Sequence, residues 1–296
     1  MPIYCAGEVM LEFAATGSPG TFHQSFAGDT FNTAVYLARA GLAVNFVTRL
    51  GDGSFSDAII AELQAEGIGT DNVSRVPERQ PGLYLIENDA LGERSFHYWR
   101  DSSPAREMFD LPITLPACSL FYFTGITLAV TRQHFEHLSE LLAELARAGS
   151  AVVFDPNFRS KLWQDHSQAR GYHERILPYV TTVLPTLEDE RILWGVTSAE
   201  QAADLYRDAG VSEIVVKNSD LTAHAFTEGE HVLRRAARVE AIDTTGAGDA
   251  FNAGYLTSRL AGGTLEDALE AGHKVAAQVV QHAGAILPRQ STHSTR

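Results

Sequence analysis

From residue 120 onward, apolar β-rich runs alternate with helical stretches, and no other feature limits the fold of this 296-residue chain as much. Leu120-Phe121-Tyr122-Phe123 reads as a strand. A helix capped by Thr131 follows, with Phe135, Leu138, Leu141, Leu142 and Leu145 at helical spacing, ended by Gly149. Ala151 to Phe154 and Val180 to Leu184 read as strands, Leu187 to Leu193 and Ala199 to Ala209 as helices, and Ile214 to Lys217 as a further strand. A hairpin spans Ala223 to Arg235 around Glu228-Gly229-Glu230, and two helices start at Ala247 and Thr264. Repeated strand–helix units give parallel neighbours, so the expected class is α/β: a central, mostly parallel sheet with helices on both faces. Its binding loops lie at the C-terminal ends of the strands.

Upstream, Pro2 to Ala6 reads as a buried strand that Val9 to Phe13 continues, with another strand at Phe22 to Phe26. A helix from Asn32 to Ala40, a strand from Val44 to Leu50, and a helix capped by Ser54 or Ser56 and ending at Glu66 follow. Between Pro81 and Arg100 the texture changes. Leu83 to Glu87 and Arg94 to Arg100 flank the polar turn Asn88 to Glu93, a hairpin that does not alternate with helices and so falls outside the main sheet. It is expected to form a small β lid from residues 8–27 and 81–101, on one domain covering 1–290. The tail 291–296 reads as disordered.

Charge narrows the partners. With 23 basic against 37 acidic residues and a net charge of −14, no global field attracts nucleic acid or an anionic membrane. An anionic substrate therefore needs a local cluster of Arg or Lys. Cys5 and Cys118 stand far apart and suggest neither a disulfide framework nor a zinc site. No signal peptide and no apolar run of membrane-spanning length is seen, so a cytoplasmic location is expected.

The densest chemistry lies in Ile242-Asp243-Thr244-Thr245-Gly246-Ala247-Gly248-Asp249-Ala250-Phe251. Small residues let the backbone turn tightly with its N–H groups uncovered, and a helix starting there offers unpaired donors and a positive dipole end to an anion. A carboxylate beside an anion site is out of place unless it takes a proton from a nucleophile next to a phosphate; an anion hole plus a base is the minimum for phosphoryl transfer to a hydroxyl. An ordinary glycine turn with an Asp in the first helical turn is the alternative reading. Ala27-Gly28-Asp29-Thr30-Phe31-Asn32 places an acid and an amide at a loop-to-helix junction, as either a helix-capping loop or a sugar site. Arg94, Tyr98 and Arg100 alternate along one strand face, and Tyr84 on the partner strand can join them. Arginine with tyrosine in an acidic protein points to a carboxylate or phosphate site, to which Arg159, after Asp155-Pro156-Asn157, adds a further cation.

The segment Asp-Thr-Thr-Gly-Ala-Gly-Asp-Ala-Phe resembles the C-terminal signature of the ribokinase-like (pfkB) carbohydrate kinases. That resemblance implies an anion hole at Gly246, Ala247 and Gly248, with Asp249 as catalytic base, and sugar contacts at Gly28, Asp29 and Asn32. Pro81-Gly82-Leu83-Tyr84, the run from Gly92 to Arg100, and Asp155-Pro156-Asn157-Phe158-Arg159 with Leu162-Trp163 look like the 2-keto-3-deoxygluconate kinase branch. In that branch, positions matching Tyr84, Tyr98, Arg100 and Arg159 hold the sugar acid. The resemblance further implies ATP at Asn157, Arg159, Lys217, Ser219, Thr245 and His273, although Ser219 stands where glycine is usual and His273 where many relatives carry Asn. Lys217 as a solvent-facing strand end and His273 as a structural helix residue are the plain alternatives. The family's metal-linked Asn-x-x-Glu motif falls on Thr186-Leu187-Glu188-Asp189, leaving Asp189, acting through water, for Mg²⁺. A monovalent cation such as K⁺ is a further cofactor candidate. Subunits of relatives pair through their lids, so a homo-oligomer is expected. The implied activity is ATP-dependent phosphorylation of a sugar acid; a fructokinase of the same fold and a non-catalytic sensor are the rivals.

Overall fold

A computed structural model describes residues 1–16, 18, 20–88 and 94–289, with Asn88 and Arg94 described by their backbone alone. The expected turn at 89–93 and the tail at 291–296 lie outside the described residues. The chain runs β1 (Ile3–Ala6), β2 (Met10–Ala15), β3 (Phe22–Ala27), α1 (Asp29–Arg39), β4 (Val44–Gly51), α2 (Ser54–Ala65), β5 (Val73–Val76), β6 (Leu83–Asn88) and β7 (Arg94–Trp99). It continues as β8 (Leu120–Thr124), α3 (Gly125–Val130), α4 (Phe135–Arg147), β9 (Ala151–Asp155), α5 (His166–Ile176), β10 (Thr182–Val183), α6 (Leu187–Trp194) and α7 (Ala199–Asp208). β11 (Glu213–Lys217), β12 (Thr222–Thr227), β13 (Glu230–Arg235), α8 (Ala247–Leu260) and α9 (Leu265–Val279) complete it.

The strands form a nine-stranded sheet in the order β13-β12-β11-β10-β9-β8-β1-β4-β5 and a four-stranded sheet in the order β3-β2-β6-β7. From β5 to β11 all neighbours are parallel; only β12 and β13 pair antiparallel. Alternation along each strand feeds two cores. Tyr4, Ala6, Phe121 and Phe123 face the core built with α4, α5, α6 and α7, while Ile3, Cys5, Leu120 and Tyr122 face the one built with α1, α2, α8 and α9. The winding reverses at β1, which lies between β4 and β8, so a crevice opens at the C-terminal ends of β1 and β8. The fold is the expected ribokinase-like α/β class, with the smaller sheet standing outside the main one as a lid.

Several local expectations change. The Val9 to Phe13 run does not prolong the first strand; after the expected end at Gly7-Glu8, β2 lies in the lid, as the 8–27 segment implied, and pairs parallel with β6. Thr131 does not cap α4. Its hydroxyl donates to the Thr127 carbonyl at 2.8 Å, closing α3, and a 3₁₀ turn intervenes before Phe135. α2 starts after Gly53 with no side-chain cap. The Val180 to Leu184 run shortens to a two-residue strand. α5 escaped the sequence reading because only Ala169, His173 and Ile176 are buried on it, a stripe with a histidine at its centre. Asp165 caps that helix, accepting from the Gln168 N–H at 2.8 Å. His173 is enclosed by the rings of Phe154, Trp163 and Trp194, and burial pushes its pKa down to about 3, so it stays neutral. Among the described residues no helix is long and apolar enough to cross a membrane.

α6 carries a buried acid beneath the crevice. The Tyr206 hydroxyl donates to Glu190 Oε2 at 2.8 Å, while Oε1 is buried without a partner. Burial pushes the carboxyl up to about 8 from its ordinary 4.5, with the nearby Asp189 and Asp155 charges adding to the rise. A raised folded pKa means that stability is full below the ordinary value and is lost as pH rises through the folded one. Glu190→Gln keeps an acceptor for Tyr206 but cannot ionise. Its melting temperature is therefore expected to gain on the parent chain as pH rises from about 4.5 to about 8 and to keep a constant lead above that. Parallel pH-dependent melts with no widening gap would contradict this reading.

Candidate active site

The crevice at the end of the sheet collects the loops after β1, β8 and β9, the end of β11, and the first turns of α1 and α8. α8 begins at Gly246, whose φ of +74° is left-handed; a Cβ there would also lie 2.7 Å from that of Ala285. Asp243 ties this turn to the C-terminal segment, accepting from the N–H of Thr245 at 2.9 Å and of Gly284 at 2.7 Å. The Ala247 N–H already donates to the Thr244 carbonyl at 3.2 Å, so of the three expected anion-hole amides it is the committed one. Gly248 and Asp249 occupy helix positions whose N–H groups have no intrahelical partner. A Cβ built on Gly248 would meet only Lys217 Nζ, at 3.9 Å, so the cradle is open above the helix and has a cation beside it.

Lys217 is not a solvent-facing strand end. It is buried, donating to Asp155 Oδ2 at 3.1 Å and Asn252 Oδ1 at 2.9 Å. Asn252 in turn donates to Asp155 Oδ2 at 2.6 Å and to the Tyr122 hydroxyl at 3.0 Å. Asp155, Asn252 and Tyr122 carry this floor and were not assigned from sequence. Asp155 left a trace in Asp-Pro-Asn, where its Oδ1 accepts from the Asn157 N–H at 3.1 Å and Asn157 takes a left-handed φ of +34°. Asn252 left none beyond lying one helical turn past Asp249.

Gly28, Asp29 and Asn32 reach the crevice as expected. Gly28 precedes α1 without a side-chain cap, and a Cβ on it would lie 2.2 Å from the Glu8 carbonyl, so no larger residue fits this crossing. Asn32 Nδ2 donates to Asp249 Oδ2 at 2.8 Å. Asp29 Oδ2 accepts from Thr124 Oγ1 at 2.6 Å and from Asn157 Nδ2 at 3.0 Å. Asp249 is half-buried. Burial first, then the charge of Asp29, push its carboxyl up to about 8, against the hydrogen bond from Asn32 and the charge of Lys217. Burial raises Asp29 as well, opposed by its hydrogen bonds.

The lid presents an aromatic face to this crevice. Tyr84 and Tyr98 are registered cross-strand partners with ring centroids 5.5 Å apart, and Phe96 stacks beside Tyr98. The Tyr84 hydroxyl donates to Glu12, whose other oxygen accepts from Ser25 at 2.9 Å. Arg100 departs from the expected strand alternation. β7 ends at Trp99, and Arg100 turns inward into a buried ion pair with Glu8, its guanidinium carbon 5.9 Å from the Tyr98 ring centroid. Arg94's side chain lies outside what is described. Arg159 is 54% exposed and touches Asp189 only loosely, at 3.6 Å. Both guanidinium charges oppose the burial that raises the Tyr98 phenol.

The residues expected at the nucleotide are scattered around the same edge. Ser219's N–H, at 3.1 Å, and its hydroxyl both go to Glu188 Oε1, so its backbone donor is occupied. His273 packs edge-on against Phe251 at 5.2 Å, with Nε2 3.4 Å from the Arg234 carbonyl, and burial keeps it neutral. With Arg235, Val239 and Lys274 it lines a groove of about 270 Å³. For a magnesium ion the donors are hard oxygens: Asp189, whose carboxyl burial pushes upward, and the buried, unpartnered Oε2 of Glu188. These suit such a cation.

A model of the pfkB family of carbohydrate kinases matches residues 3–292. The chain is 37% identical over 300 aligned positions to the 2-dehydro-3-deoxygluconokinase of Dickeya dadantii, covering 96% of each. Its fold superposes on a PfkB protein from Polaromonas sp. JS666 with a TM-score of 0.85 at 27% identity, over 95% of both chains. It also superposes on an Escherichia coli ribokinase-type structure in complex with ATP and Mg²⁺, with a TM-score of 0.84 at 20% identity, covering 96% of this chain and 94% of the other. A cradle of helix N–H groups with a half-buried carboxylate at its edge, on this fold and with this match, places the chain in the pfkB family of carbohydrate kinases.

Proposed function

We propose that the protein phosphorylates 2-keto-3-deoxy-D-gluconate at O6 with ATP, giving 2-keto-3-deoxy-6-phosphogluconate, in the cytoplasm. The observation that carries this reading is the exposed Arg159 guanidinium at the crevice, whose charge acts on the Tyr98 phenol of the lid, since a neutral hexose has no use for such a cation and a sugar carboxylate does. The 37% identity to a 2-dehydro-3-deoxygluconokinase supports the same substrate class.

In the proposed reaction the sugar lies between Asp29, Asn32 and the Tyr84–Tyr98 face. Asn32 fixes Asp249 Oδ2, so the other carboxylate oxygen is left to take the hydroxyl proton. The hydroxyl oxygen forms its bond to the γ-phosphorus as the bond to ADP breaks, and the proton passes to Asp249. The N–H groups at the start of α8, with Lys217 beside them, hold the charge on the transferred phosphoryl group. Magnesium bound with the nucleotide would be held by Glu188 and Asp189 and would neutralise polyphosphate charge. Tyr84, locked by Glu12, gives the sugar a flat floor. Lid pairing into a homo-oligomer belongs to this reading, and Trp99 is exposed on the lid face opposite Tyr98.

The two arginines separate the acid reading from a fructokinase. Arg159→Ala is expected to lower kcat/KM for the keto-deoxy acid by about 1.5–3 kcal/mol, roughly tenfold to over a hundredfold, with little change in melting temperature. Arg100→Ala strands Glu8 as a buried charge and costs about 3–5 kcal/mol of stability besides activity. An ADP-release assay with 2-keto-3-deoxygluconate, its C4 epimer and fructose checks both; turnover of fructose alone, unchanged in Arg159→Ala, would falsify the sugar-acid assignment.

Asp249 must be ionised to accept a proton, so kcat/KM is expected to rise with pH through about 8. Asp29→Asn removes the neighbouring charge that helps to raise Asp249 and keeps an oxygen for Thr124. Its acid limb should move to lower pH while maximal turnover falls. Initial rates across pH 5–10 test the direction, and a limb that stays in place in the variant removes Asp29 as a cause.

A further inference from the structure

The antiparallel edge of the large sheet carries a cluster that the phosphoryl-transfer site does not use. On β12 and β13 the register sets Phe226 opposite His231 and His224 opposite Leu233, so the two histidines are diagonal neighbours on one face. α7 crosses that face. Its Ala202, Ala203 and Tyr206 share a core with Phe226, and its first turn brings Glu200 to the histidines. His224 Nδ1 lies 3.1 Å from His231 Nε2 and 3.9 Å from Glu200 Oε1, and one ligand atom from each residue falls within 4.8 Å of the others.

We infer that Glu200, His224 and His231 form a binding site for a divalent transition-metal ion of the zinc class, on the α7 face of the sheet, opposite the face on which Lys217 meets Asn252 of α8. The rings are oriented by packing: His231 stacks on Phe226 with centroids 4.1 Å apart, and His224 lies within 14° of the plane of both. A tetrahedral zinc ion with bonds of about 2.0 Å places two nitrogen ligands about 3.3 Å apart, close to the separation of the two ring nitrogens. Glu200 is exposed and can close the remaining gap by a change of side-chain rotamer. Two imidazoles with one carboxylate select zinc, nickel or copper over magnesium or calcium, which take all-oxygen sites. A bound ion would clip the start of α7 to the sheet edge, with water completing its shell.

Calorimetric titration of the tag-free, full-length chain with zinc chloride tests this. The parent chain is expected to bind one zinc ion saturably and to melt at higher temperature with zinc. His231→Ala is expected to weaken binding by more than about tenfold and to abolish the thermal shift. Glu200→Gln, at an exposed helix position, guards against misfolding and should weaken binding while leaving the zinc-free melting temperature unchanged. Both variants should keep the turnover with magnesium and ATP. No saturable binding by the parent, or equal binding by both variants, overturns the site and leaves a plain histidine–histidine hydrogen bond.

Discussion

The buried pair of Lys217 and Asp155 is the constraint on which the crevice depends. A desolvated ion pair stabilises only when its remaining hydrogen-bonding capacity is filled, and Asn252 and Tyr122 help to fill it here. The four groups come from β11, β9, α8 and β8, so the network fixes how α8 is rotated on the sheet. Asn252 is one turn past Asp249 on the same helix face. Anchoring its amide therefore aims Asp249 at Asn32 and sets the open start of α8 beside the lysine. The polar floor that locks the helix and the cation that favours an anion in front of it are one arrangement.

Features that depend on local backbone could be read from the sequence, and features that depend on distant pairing could not. Gly246 and its neighbours announced a helix start because only small residues tolerate that turn, and the α/β alternation followed from strand and helix periodicity. Lys217 reads as a nucleotide contact or else a strand end, and its place in a buried network is not legible because its partners lie 62 and 35 residues away in sequence. α5 carried no clear apolar stripe because its central buried position is a neutral histidine. The lid was legible as a hairpin joined by residues 8–27, but the parallel register of β2 on β6 was not, since a pairing between residues 11 and 83 leaves no local mark.

The same distinction separates the two arginines. In sequence both are cations beside aromatic residues. In the fold Arg100 is committed to Glu8, 92 residues away in sequence, with a Cβ on Gly82 falling 2.7 Å from Glu8 Oε1, so this pair shapes the lid's hinge as much as any ligand site. Arg159 keeps an exposed guanidinium, with a loose contact to Asp189 and a hydrogen bond to the neighbouring Phe158 carbonyl at 3.2 Å. A carboxylate arriving at the lid would thus meet one cation already balanced and one nearly free. The free one is the stronger candidate for recognising the acid, because its existing partner is easily exchanged.

Asp29 and Asp249 are half-buried neighbours at the crevice, and their environments differ. Two carboxylates that feel each other's charge titrate as a pair, and the proton stays longer on the one with fewer donors. Asp29 Oδ2 accepts from Thr124 and Asn157, while Asp249 Oδ2 accepts only from the Asn32 side chain. Asp29 is thus the better stabilised anion and suits a fixed acceptor for sugar hydroxyls. Asp249 is the more basic of the two, held close to the pH at which a general base works best, and it stands at the edge of the phosphoryl cradle. Counting donors at each carboxylate thus supports Asp249 as the base of the proposed reaction, independently of the sequence motif in which it lies.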